Sequence, residues 1–383
     1  MNLKKKVMKV SKLIYSLCLV LLSSGAFAQN LQQEITEDKS FKLDQGDRVE
    51  IRNKYGEIIV HTWYVDSVKV VRKFEIAGKN YSSVRKVINR VDMSMRKIGN
   101  LVSIETEVEK PSGGFFGDLL DDFEDASKGA FANNNKFSVD YEVWIPEDVD
   151  ITIENRFGDV YLSDLTGYVD VELSHGDLRG NRIENRLELK QSFGRCNFDF
   201  VNMGEFNLRA VNMEVKESRK LTFESSSSEI ELDEIENLQI NSRNDKFYVE
   251  SLDNVQGTGS FTDLNVDELY QNSRLDFSYG DIYLRQVAQN FKLIDISGKS
   301  TDINLVLDQA SYIQTRIEGP EERMILPNSM LTLQRQELED GKSISLNGTV
   351  GNTNSEVGSL NVIAKGGKLI IAIQETPIFT KQD

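Results

Sequence analysis

Short alternations of apolar and polar residues run through most of this chain. "VDVEL" (169–173), "LELK" (187–190), "LTFE" (221–224), "LQIN" (238–241) and "RLDF" (274–277) each alternate with a period of two. That is the pattern of a strand with one face buried. Polar corners such as "IEN" and "SRN" separate them.

The alternation itself repeats. Val160, Leu178, Cys196, Met213, Ile230, Phe247, Leu264, Ile282 and Ile303 follow one another at steps of 18, 18, 17, 17, 17, 17, 18 and 21. Columns starting at Leu162 and Leu165 keep the same phase. A unit this short holds neither a βαβ crossover nor a propeller blade, and it fits one rung of a parallel β-helix. The expected fold is all-β: a single-stranded parallel β-helix of about nine rungs of 17–18 residues, right-handed. A left-handed hexapeptide helix wants an aliphatic residue at every sixth position, and the uneven spacing 160, 162, 165, 169, 171 argues against it.

The corners have their own signature. "NKYGEIIV" (53–60), "NRFGDVYL" (155–162), "QSFGRCNF" (191–198) and "FSYGDIYL" (277–284) repeat an aromatic, a glycine, a mostly acidic position and an aliphatic run. The glycine suits a tight turn. A second corner column reads Asn185, Asn237, Asn254, Asn272 and Asn290. Asparagine tolerates left-handed backbone and can bond along a stack.

An open stack exposes strand edges, so both ends should be covered. Residues 29–146 read as a β-rich N-terminal cap, with one helix over 81–93, where Val84, Val87, Ile88 and Val91 fall at helical spacing. A flexible acidic insertion occupies 111–135, and its Phe115, Phe116, Leu119, Leu120 and Phe123 can share one helical face that docks a partner. Rungs fill 147–307. Residues 308–383 read as an antiparallel β cap, with "KGGK" (365–368) as a hairpin signal.

Residues 1–28 have the basic, apolar and small-residue segments of a secretory leader. They carry five lysines and no acids, so their removal takes the net charge of −16 to −21. Such a surface repels nucleic acid and anionic headgroups, and no later apolar run is long enough for stable membrane insertion. The expected location is exported: periplasm, cell surface or medium. Without the leader Cys196 is the only cysteine, in a core column, which predicts a buried small hydrophobe.

Catalytic groupings are scarce. His61 and His175 fall in different parts of the fold. "SGKST" (297–301) lacks the first glycine of a phosphate loop, because position 293 is Leu293. The remaining candidate is an acid ladder of Asp159, Asp177, Glu229, Asp263, Asp281 and Asp302, one step before the aliphatic column. Stacked carboxylates raise one another's pKa or recruit a cation, for which Ca2+ is suited. Arg195, Asn212 and Lys246 interrupt the ladder, which relieves the repulsion without any metal. No cofactor is therefore expected.

"NKYGEIIVHTW", "VDYEVWIPEDVDITIENRFGDVYL" and "SLNVIAKGGKLIIAIQ" together make the chain resemble the bacterial putative-adhesin family of exported β-solenoid domains of unknown function. The resemblance spans most of residues 29–383 and implies a cell-envelope or secreted protein. It brings no catalytic residues. The expected function is non-enzymatic: an adhesin-like rod presenting a rigid surface to an envelope protein or glycan. The alternative is a β-helix lyase or hydrolase acting on polysaccharide.

Overall fold

The computed structural model describes residues 31–78, 91–108, 137–309, 312–351 and 357–374. The leader and the 111–135 insertion, with Phe115, Phe116, Leu119, Leu120 and Phe123, lie outside these residues. So does most of the expected helix over 81–93. Its last residues open a strand instead, Val91–Ile98. Met93 and Met95 are buried with Ser94 between them, a period of two that suits a sheet. Among the described residues there is no α-helix, only a 3-10 turn at Glu321–Arg323.

The described residues fall into two compact units. The smaller takes its described residues from 31–37, 73–78, 91–93, 106–108 and 137–139, with Phe74, Ile76, Met93 and Val139 buried. The larger contains 38–72, 94–105 and 140–383. It holds the repeat and every feature described below.

Through the repeat of the larger unit each strand pairs in parallel with its equivalent one repeat later. Val169 lies opposite Leu187, Met213 opposite Ile230, Ile230 opposite Phe247 and Phe247 opposite Leu264. The chain is thus stacked coil on coil, about 4.8 Å apart. Inward columns such as Val160, Leu178, Cys196, Ile230, Phe247 and Ile282 have no measurable exposure or almost none. Each residue in them covers its equivalents above and below, which is what a short repeat needs to bury its apolar face.

Both ends of the stack are built out of sequence order. Val49 pairs with Ile151 on one side and with Val102 on the other. Ile58 likewise lies between Val160 and Tyr141. The segment 48–62, read from sequence as cap, is therefore a coil sandwiched between two later ones. At the other end Leu293 pairs with Ser359 and Ile303 with Leu369. Gln314 then pairs with Ser359 from the far side. The expected "KGGK" hairpin does not form. Gly366 has φ 92° and turns the corner of a further coil, and its flanks run parallel to the coil below. At this end antiparallel pairing joins Tyr312–Pro320 to Ser343–Gly351 and Gln334–Glu337 to Ser343–Gly351.

One corner recurs through the repeat. His175, Phe193, Ala210, Ser227, Asn244, Phe261, Tyr279 and Ser300 all have φ between 52° and 61°. Left-handed backbone costs a non-glycine residue about 1–2 kcal/mol, so the stack imposes it eight times. The next residue passes close over the coil below. A Cβ on Gly176 would lie 2.2 Å from the Gly158 carbonyl oxygen, and one on Gly158 would lie 2.0 Å from that of Gly56. Gly176→Ala is expected to lower stability by about 2 kcal/mol or more, read as a fall in urea midpoint. An unchanged midpoint would mean that the corner is looser than described.

Candidate functional site

The acid ladder is real as a column and works as a backbone cap. Asp159 Oδ1 accepts the Asp177 N–H at 2.8 Å, and Asp177 Oδ1 accepts the Arg195 N–H at 2.9 Å. Asp302 does the same for Lys368 at 2.9 Å. The register continues through Asn212, Glu229, Lys246 and Asp263, and joins Asp281 to Asp302. The six predicted acids thus share one edge but are not one cluster. Arg195 grips Asp177 through Nε at 3.0 Å and Nη2 at 2.6 Å.

The electrostatics divide accordingly. Burial pushes the Asp281 carboxyl up, and the charges of Asp263 and Asp302 on either side push it further. Glu57, in the same column, is raised by burial and then by Asp140 and Asp159. At Asp177 burial also opposes the charge, but the bonds from Arg195 outweigh it and hold the carboxyl below its ordinary value. Among the described residues no three His, Cys, Asp or Glu side chains converge as a metal-holding group.

Beside the acids runs a column that sequence reading noticed only as a corner motif. Residues at the corner position stack aromatic rings coil on coil. Tyr55 and Phe157 are 5.6 Å apart at 9°, Phe157 and His175 5.4 Å at 14°, His175 and Phe193 4.8 Å at 8°. Phe261 and Tyr279 stack at 5.1 Å and 13°. His175 is one layer of this stack. His61 stacks on Trp144 at 5.2 Å and meets Glu142 at 3.0 Å.

The asparagine column also forms. Asn254 donates to Asn237 Oδ1 at 3.1 Å and Asn272 to Asn254 Oδ1 at 2.6 Å. Asn290 is not in it, because Leu293 stands opposite Asn272, and Asn202 bonds back to Glu184 in the manner of Asn237. With Gln239, Gln256 and Arg274, Asn237, Asn254 and Asn272 line a shallow groove of about 450 Å³. Cys196 is fully buried, and burial pushes its thiol well above the ordinary value.

No family model matches the chain, and no curated protein does. Among solved structures, a putative cell adhesion protein from Clostridium sporogenes ATCC 15579 aligns at 11% identity with a TM-score of 0.20. The alignment covers 89% of this chain and 100% of that one. A score this low carries no argument, so the adhesin-family resemblance stands on the sequence motifs.

The two kinds of carboxyl predict opposite pH behaviour. Asp281 holds its proton more tightly folded than unfolded. Stability therefore falls as pH rises from 3.8 through the raised folded value, and the repulsion is fully present at pH 7. Asp281→Asn should stabilise by about 0.5 kcal/mol at pH 7, the scale of screened charge pairs, and by less near pH 4. Asp177→Asn should destabilise at pH 7, with its loss shrinking as pH falls below 3.8. Urea unfolding at both pH values reads the signs, and equal signs would contradict the assignment.

Proposed function

We propose that the chain is a non-enzymatic, exported envelope protein, an adhesin-like, right-handed β-solenoid whose outward side chains form a rigid binding surface. The observation that carries this reading is the parallel register of the coils. It sets outward residues in straight columns about 4.8 Å apart, the geometry of an extended recognition surface rather than of a convergent catalytic centre. The leader-like N-terminus supports export, and the family resemblance supports an envelope location. The grooves along the coils are shallow and lined mostly by polar side chains, as a surface for a long ligand would be.

The rival reading is polysaccharide cleavage. The test is incubation of protein lacking residues 1–28 with acidic and neutral polysaccharides, assayed for new reducing ends and for unsaturated products. No turnover is expected, together with retention of the protein on a glycan or envelope fraction. Turnover lost in a carboxylate variant would establish an enzyme instead.

A further inference from the structure

The aromatic stack has a gap, and in two of its three coils the acid ladder breaks as well, at Asn212 and Lys246. Between Phe193 and Phe261 the corner positions are Ala210, Ser227 and Asn244. Phe193 stacks on His175 on one side, and Phe261 on Tyr279 on the other. Their remaining faces look toward each other across three coils that lack a ring. Phe193 is 45% exposed and Phe261 55%. Four coil steps of about 4.8 Å put them roughly 19 Å apart.

The flanks of this notch carry three cations on a protein of net charge −16. Arg209 and Arg243 stand on one side, in a column whose other members nearby are Ser192, Ser226 and Ser260. Lys246 stands on the other side. All three are exposed and make no ion pair among the described residues, whereas Lys190, Arg195 and Lys216 nearby are each paired with an acid. On that flank Glu229 and Asp263 are the ladder neighbours of Lys246 on its two sides, and Glu231 follows two residues on from Glu229.

The floor is rigid. Beneath Ser227 and Asn244 the buried Asp245 carboxylate, 2% exposed, accepts the Ser228 N–H at 2.7 Å. It also accepts the hydroxyls of Ser225 at 2.7 Å and Ser242 at 2.6 Å. A fully bonded buried carboxylate fixes the corner above it.

We propose that this notch binds an acidic glycan. A sugar ring would lie on the open face of Phe193 or Phe261, whose electron-rich face suits the C–H side of a pyranose. Its carboxylate or sulfate would meet Arg209, Arg243 or Lys246, and Asn244 and Ser227 would bond its hydroxyls. Three cations spread over the notch match a sparsely charged chain. Nucleic acid, with one charge per about 1.7 Å of duplex, fits poorly beside Glu229 and the acidic remainder. This assignment rests on the binding-surface reading above and names its ligand class.

The test is calorimetric titration of protein lacking residues 1–28 with tetragalacturonate, a chondroitin sulfate tetrasaccharide, cellotetraose and a single-stranded oligonucleotide. At least one acidic tetrasaccharide should bind, more tightly than cellotetraose, and should weaken with salt. Arg209→Ser with Arg243→Ser should cost about tenfold or more, the scale of a lost charged hydrogen bond. Lys246→Asp and Phe261→Ala should each weaken it too. These arginine and lysine changes copy residues that neighbouring coils carry at the same positions, Ser226, Ser260 and Asp263, and matching thermal unfolding confirms that the variants fold. The proposal is overturned if neither acidic ligand binds, if the variants bind like the parent, or if the oligonucleotide binds tightest. Neutral-glycan binding that ignores the arginines would overturn the acidic notch and leave the binding-surface function standing. Release of reducing ends would overturn that function itself.

Discussion

Each coil must turn one corner directly above the same corner of the coil below. The close approach there leaves no room for a Cβ over Gly56, Gly158 or Gly176, and it forces left-handed backbone on residues that dislike it. The parallel ladders and the sealed apolar columns offset that strain, because every coil gains a neighbour on each side. Everything outward follows from this corner. The ring-bearing position, the acid one step beyond it and the serine or arginine one step before it are each held in line. Where the corner carries Ser228, Asp245 or Thr262 in place of glycine, a buried hydrogen-bonded network takes over.

The middle of the stack was legible in the sequence because its period is local. A column rising by 17 or 18 residues is visible once the aliphatic positions are aligned, and the acid column comes with it. The ends were not legible. Val49 meets Ile151 and Leu293 meets Ser359 across separations that carry no period. "KGGK" reads as a hairpin because a left-handed glycine turn looks the same in either setting, and only the register of Ile303 with Leu369 tells them apart. Asn290 was misplaced for a related reason, since the longer step after Tyr279 shifts Leu293 into the asparagine column.

The surface followed the same division. The acids could be numbered from sequence, yet their use as acceptors for the next coil's amide depends on the stack. The rings of Tyr55, Phe157, Phe193 and Tyr279 were visible in the corner motif, whereas the gap between Phe193 and Phe261 registered as mere absence of the motif. Ala210, Ser227 and Asn244 look unremarkable one by one. They matter because the rings on either side and Arg209, Arg243 and Lys246, which make no ion pair among the described residues, lie in register with them.

The out-of-order coil at the N-terminal end tests this stacking most directly, since no local pattern could produce it. Glu50 and Thr152 are partners in adjacent coils, about 4.8 Å apart, within reach of a disulfide. Asp170 lies one coil further, opposite Thr152. In protein lacking residues 1–28, with Cys196 buried, Glu50→Cys with Thr152→Cys should oxidise to a crosslinked monomer. Glu50→Cys with Asp170→Cys should stay reduced under the same conditions. A second pair that crosslinks as readily as the first, or a first pair that does not crosslink, would contradict the coil order on which every surface column depends.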